Sequence, residues 1–145
     1  MRFWLPALVA IAVLPAGAHH PLTPFYDASK PASISGPIVE LRSVNPHLVL
    51  IVEGRGPDGR TGRWAFEGSA PNALIRRIRD YKERLKPGTM ITISGWAAKD
   101  PSARAFSGRE ITFADGTTML FGMSAPSDGW SCSSPPCPYT YPKVQ

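Results

Sequence analysis

The side chains best able to do chemistry in this 145-residue sequence are its three histidines: the adjacent pair His19 and His20, and His47 in an Asn45-Pro46-His47 turn. If the chain is cut after Ala18, His19 carries a free α-amine beside its own imidazole, so one residue offers two nitrogen donors at little ordering cost. His20 stands next to it, and His47 supplies another nitrogen if the fold brings the turn to the N-terminus. An α-amine (pKa about 7.7–8.0) and an imidazole (about 6.5) both lose their protons readily near neutral pH, as ligation requires. Nitrogen donors in a tetragonal or T-shaped set suit Cu(II), which binds most tightly in the divalent series. The residues therefore predict a metal site of His19, His20 and His47, with copper as its ion. Two other readings stay open. A cut after Gly17 gives Ala18-His19-His20, in which the amine, backbone amides and His20 chelate Cu(II) or Ni(II) within the peptide itself. Without a metal, the pair is polar sequence beside a processing site and His47 satisfies its turn by hydrogen bonding.

Other chemistry is less well marked. Asp27, Glu53 and Glu67 are candidates for a carboxylate pair or for joining the metal site, although strand carboxylates usually face solvent. The serines stand in no Gly-x-Ser-x-Gly context, and neither a phosphate loop nor a dinucleotide fingerprint occurs. The sequence points to a protein that binds a ligand rather than an enzyme. A metal-free binding module is the alternative, with Trp64, Trp96 and Phe106 beside Arg63, Lys99, Arg104 and Arg109 as an aromatic and basic surface for sugar, peptide or an envelope protein. Nucleic acid is not an expected partner for an exported chain.

Export is expected from residues 1–18, where Arg2 precedes an apolar stretch and Ala16-Gly17-Ala18 makes a small-residue end. The stretch is shorter than the roughly 20 residues that span a bilayer. This makes it a cleaved signal and implies a periplasmic or secreted protein with no stable membrane span. Removing Arg2 with the signal takes the formal charge from +5 to +4, a mild excess typical of a solvated surface. Cys132 and Cys137, in Cys-Ser-Ser-Pro-Pro-Cys, read as a disulfide closing a small loop in an oxidising compartment.

The elements that must position the histidines follow from apolar periodicity. Residues 31–44 form a first strand, curved or bulged at Gly36-Pro37. Residues 48–52 are a continuous apolar run of strand length, and Gly56-Pro57-Asp58-Gly59 is a turn. Residues 63–67 alternate, which sends Trp64 and Phe66 to the core and Arg63 and Glu67 to the other side. The period then becomes helical through Leu74, Ile75, Ile78, Tyr81 and Leu85, with Ser69 as N-cap, Pro71 in the first turn, and Lys86-Pro87-Gly88 as the stop. Arg76, Arg77 and Arg79 form its solvated face. Residues 89–96 form a fourth strand bent at Gly95, and residues 110–114 and 117–121 flank Asp115-Gly116 as a hairpin.

Three strands, one amphipathic helix, then further strands is the order of an OB-type barrel. The expected fold is all-β with one helix: an OB-fold-like barrel of five to six strands over residues 19–121, with the helix between strands 3 and 4. Residues 122–145, with Pro126, Pro135, Pro136, Pro138 and Pro142, form an extended tail. Trp130, Tyr139 and Tyr141 in that tail would suit capture of an envelope partner, the structural alternative to ligand binding.

The His19-His20 start, Phe25-Tyr26-Asp27, the Asn45-Pro46-His47 turn, the strand from Trp64 to Glu67, Ala70-Pro71-Asn72-Ala73-Leu74 and Gly95-Trp96-Ala97-Ala98-Lys99-Asp100 occur here in one order. As a set they resemble a family of small exported bacterial proteins classed as a domain of unknown function, over roughly residues 19–121. The resemblance implies an exported β-barrel and no particular activity. Pro21 departs from it, because a serine commonly follows the histidine pair, and the cysteine-bearing proline-rich tail is not a usual family feature.

Overall fold

The structure is a computed structural model that describes residues 25–122. Residues 1–18, expected as a signal, His19, His20 and the expected tail with Cys132 and Cys137 lie outside the described residues. Six strands follow in chain order: β1 (Tyr26–Ser43), β2 (Leu48–Arg55), β3 (Thr61–Glu67), β4 (Met90–Ala98), β5 (Ala105–Phe113) and β6 (Thr118–Leu120). Two short helices, α1 (Pro71–Arg77) and α2 (Tyr81–Arg84), lie between β3 and β4. Neighbouring strands pair in the order β3-β2-β1-β4-β5-β6, and an additional pairing of β3 with β5 closes five of them into a ring. The closing pair is parallel and short, joining Ala65 to Ala105, Phe66 to Phe106 and Glu67 to Ser107; the other strand pairs are antiparallel. The architecture is all-β with one helical segment after the third strand, as the order of sequence elements predicts.

The long first strand makes the ring possible. Its first part pairs with β4 and its second with β2, so one strand serves both neighbours by bending between them. The register to β2 shifts between Ile38 and Glu40, the bulge that re-aims it. Gly36 sits at this bend because a Cβ there would lie 1.8 Å from the Glu53 carbonyl oxygen. Gly95 has the same role in β4, where a Cβ would come within 2.1 Å of the Ser107 carbonyl oxygen. Both were expected as bends from their setting in otherwise apolar strands. The closing hairpin also forms as read, with Gly116 at φ +82° and the Asp115 carboxylate accepting from the Thr117 amide at 2.9 Å.

Inside the ring lies the main core, which includes Ile34, Leu50, Val52, Trp64, Phe66, Ile93, Phe106 and Ile111. Leu74, Tyr81 and Leu85 of the helical segment complete it, so that segment closes one end of the ring. The sequence expects one continuous helix, but it is broken. Ile78 takes an extended conformation, and Asp80, a residue favoured before a helix rather than within one, accepts the first bonds of α2 through its carbonyl oxygen. Ser69 is not the N-cap: Ala70 holds that position, and the Ser69 hydroxyl accepts from Arg77 at 3.0 Å. Ile75, counted by its spacing with the buried set, is 45% exposed.

Candidate functional site

His47 and Glu67 meet because the β2–β3 ladder continues past the strand ends. Val49 pairs with Glu67 in register, and beyond them Gly68 N–H donates to the Leu48 carbonyl (2.8 Å) and Leu48 N–H to the Ser69 carbonyl (3.0 Å). His47 is therefore the diagonal neighbour of Glu67 on one face of the sheet, within reach for a long side chain. Its Nδ1–H donates to Glu67 Oε1. The other carboxylate oxygen, Oε2, accepts from the Tyr26 hydroxyl at 2.8 Å. Tyr26 is fully buried with Ala98 and Ala105, whose small side chains leave room for its ring.

Glu67 corrects a sequence expectation. The alternation of β3 does put Trp64 and Phe66 in the core and Arg63 in solvent, but Glu67 is only 4% exposed. Burial of a carboxylate is costly unless it is hydrogen-bonded and paired, and Tyr26 and His47 supply both. The hydrogen bond that His47 donates to the Glu67 carboxylate is the main reason the His47 pKa is raised above its ordinary value, against the opposing effect of burial. The ring is thereby fixed with Nδ1 inward, leaving Nε2 as the nitrogen for a second partner.

The other carboxylates are not drawn into this group. Asp27 accepts from the Ser29 amide (3.0 Å) and hydroxyl (2.6 Å), which lower its pKa, and lies 3.3 Å from the Lys30 ammonium. Glu53 is exposed on β2 opposite Arg63. Among the described residues no three His, Cys, Asp or Glu side chains cluster as a metal site. The proposed aromatic surface is not exposed: Trp64 and Phe106 are core residues, with rings 5.6 Å apart, and Trp96, which borders an open cavity, is itself only 7% exposed. Arg104 lies over Trp64 and Arg109 over Trp96.

Two site features escape sequence reading. Tyr26 precedes the apolar pattern of the first strand, and nothing local ties its hydroxyl to a residue 41 positions later. Ser107 lies in the first half of β5, a small-residue stretch without strand signature that the sequence leaves outside its hairpin. This serine is the register partner of Glu67, is fully buried, and its hydroxyl is the one buried side-chain polar atom without a hydrogen-bond partner among the described residues. An unpaired buried hydroxyl costs about 1–3 kcal/mol. Ser107→Ala is therefore expected to be neutral or stabilising in denaturant unfolding; a loss above about 1 kcal/mol would show that the hydroxyl is engaged.

An all-β domain thus holds a buried carboxylate that joins its first strand to a histidine just before its second. The chain belongs to a family of unknown function (DUF6152), whose model matches residues 7–107. No curated protein and no solved structure matches it. Among the described residues no helix is long and apolar enough to cross a membrane.

Proposed function

We propose that this is an exported, periplasmic or secreted protein that binds copper through His19, His20 and His47 and does not turn a substrate over. The observation that carries this reading is the histidine held by a buried carboxylate: Glu67 takes Nδ1 of His47 and leaves Nε2 as a donor. Metal-binding histidines almost always give their other ring nitrogen to such an acceptor, which sets tautomer and orientation. Chain reach supports the rest. Tyr26 is bonded to the same carboxylate, and the six residue steps from His20 to Tyr26 extend to about 20 Å at most, ample for the His19 amine and both imidazoles to reach His47. Calorimetric titration of the processed protein with Cu(II), its N-terminus at His19 verified by mass spectrometry, is expected to give one equivalent bound tightly and markedly weaker binding in His47→Ala. Equal binding by the variant would reduce the site to an N-terminal peptide chelate, and absence of tight binding would reject it.

One observation favours a metal-free module as the second reading. A cavity of about 330 Å³ on the outside of β1 and β4 is lined by Pro31, Ser33, Ser94, Trp96 and Arg109 among others. Its indole, hydroxyls and guanidinium suit a sugar or peptide, and residues 122–145 suit an envelope partner.

A further inference from the structure

The outer face of β1 and β4 holds polar groups that the core does not use. Alternation along β4 sends Ile91 and Ile93 into the main core and leaves Thr92, Ser94 and Trp96 on the opposite face. Trp96 belongs to neither hydrophobic cluster, yet it is only 7% exposed. Arg109 lies over it, with the guanidinium carbon 5.8 Å from the ring centroid, and a bulge puts it there. Gly95 pairs with Gly108 and Ser94 with Glu110, which makes Arg109 the extra residue of β5, and a bulge re-aims the side chain it carries.

The cavity of about 330 Å³ beside this pair has the size of a small-ligand site. Its polar groups have few commitments. Among the described residues no carboxylate lies within ion-pair range of Arg109, and no acidic residue lines the cavity. Ser33 and Ser94 are cross-strand partners, but the Ser94 hydroxyl makes only a long contact of 3.4 Å to the Glu110 carbonyl, and that of Ser33 has no partner among the described residues. One rung along the same face, the hydroxyls of Ser35 and Thr92 bond to each other at 2.8 Å.

We propose that this cavity binds an acidic sugar, with Arg109 on its carboxylate, the Ser33 and Ser94 hydroxyls on its hydroxyl groups, and Trp96 as the wall that holds the guanidinium in place. This inference rests on the metal-free reading above and is independent of copper. A guanidinium set against an indole and unopposed by acid calls for an anion, and Arg recognises a carboxylate through two parallel N–H donors. Uncommitted hydroxyls, which both donate and accept, call for a ligand that carries hydroxyls of its own. A peptide fits less well. It is bound in extended form at an open strand edge, whereas β4 is hydrogen-bonded to β1 on one side and to β5 on the other.

The test titrates the isotope-labelled, processed full chain with glucuronate, glucose and N-acetylalanine. The readout is the Trp96 indole N–H resonance, identified by its loss in Trp96→Phe. The expected result is a saturable shift with glucuronate, binding weaker by about tenfold or more with glucose, and a loss of similar size for glucuronate in Arg109→Gln. Ser33→Ala is expected to weaken both sugars by the same factor. Arg109 and Ser33 are exposed, so these variants keep the core, and thermal melts verify it. Glucose bound as tightly as glucuronate, or glucuronate binding unchanged in Arg109→Gln, would overturn the acidic-sugar inference and leave the sugar reading standing. N-acetylalanine bound as tightly as glucuronate would overturn it in favour of a peptide carboxylate. No shift with any of the three would overturn the inference together with the reading of this cavity as a ligand site.

Discussion

Phe106→Ala is expected to lower the unfolding free energy by about 3–5 kcal/mol, the range for a buried aromatic side chain cut back to alanine. Phe106 is 1% exposed, stacks on Phe66 with ring centroids 4.8 Å apart and planes 16° apart, and meets the tilted Trp64 ring at 5.6 Å. Its position makes the loss more than a cavity. Phe66 and Phe106 are the central pair of the three that join β3 to β5, so truncation weakens the contact that closes the ring. The neighbouring pair is Glu67 and Ser107, so the effect should carry to the candidate site. Urea unfolding followed by tryptophan fluorescence measures it; a loss below about 1 kcal/mol would show that the ring closes without this stack.

Glu67→Ala is expected to cost about 3 kcal/mol, because it strands the buried Tyr26 hydroxyl and removes the acceptor of His47. The pair with His47 also predicts a pH dependence in the metal-free protein. Glu67 raises the pKa of His47 above 6.5, so folding favours the protonated ring. The resulting stabilisation is fully present below about pH 6.5, the unfolded value, and is lost as pH rises through the higher folded value. The stability gap between wild type and His47→Ala should accordingly shrink as the pH is raised from 6. A gap that stays constant or widens would contradict a charged His47–Glu67 pair. Under the proposed copper binding the metal should act in the opposite sense, since it would replace the proton on Nε2 and bind better as that proton leaves.

The frame of the fold was legible because it rests on local signals. Continuous apolar character marked β2, alternation marked β3, Asp115-Gly116 marked the hairpin, and the change of period marked the helical segment. The break at Ile78–Asp80 was hidden because Leu74, Ile78, Tyr81 and Leu85 keep helical spacing across it. The early start of β5 was missed because Ala105, Ser107 and Gly108 are strand residues only through packing: small side chains suit a crowded, doubly paired strand and have little intrinsic preference for it. Of the site, His47 was legible by residue type alone. Glu67 looked like a solvent-facing carboxylate because alternation tells which face a side chain takes, not what covers that face. What covers it is Tyr26 from a distant part of the chain, and long-range pairing of this kind leaves no trace in spacing.

The most direct test of the account is electron paramagnetic resonance of the Cu(II)-loaded processed protein beside its His47→Ala variant, at one equivalent of metal. The proposed ligation of copper by His47 Nε2 together with the N-terminal pair predicts a nitrogen-rich signal that loses one imidazole contribution in the variant. An identical signal from the two proteins would contradict it, leaving either a chelate made by the N-terminal peptide alone or a domain whose ligand is not a metal.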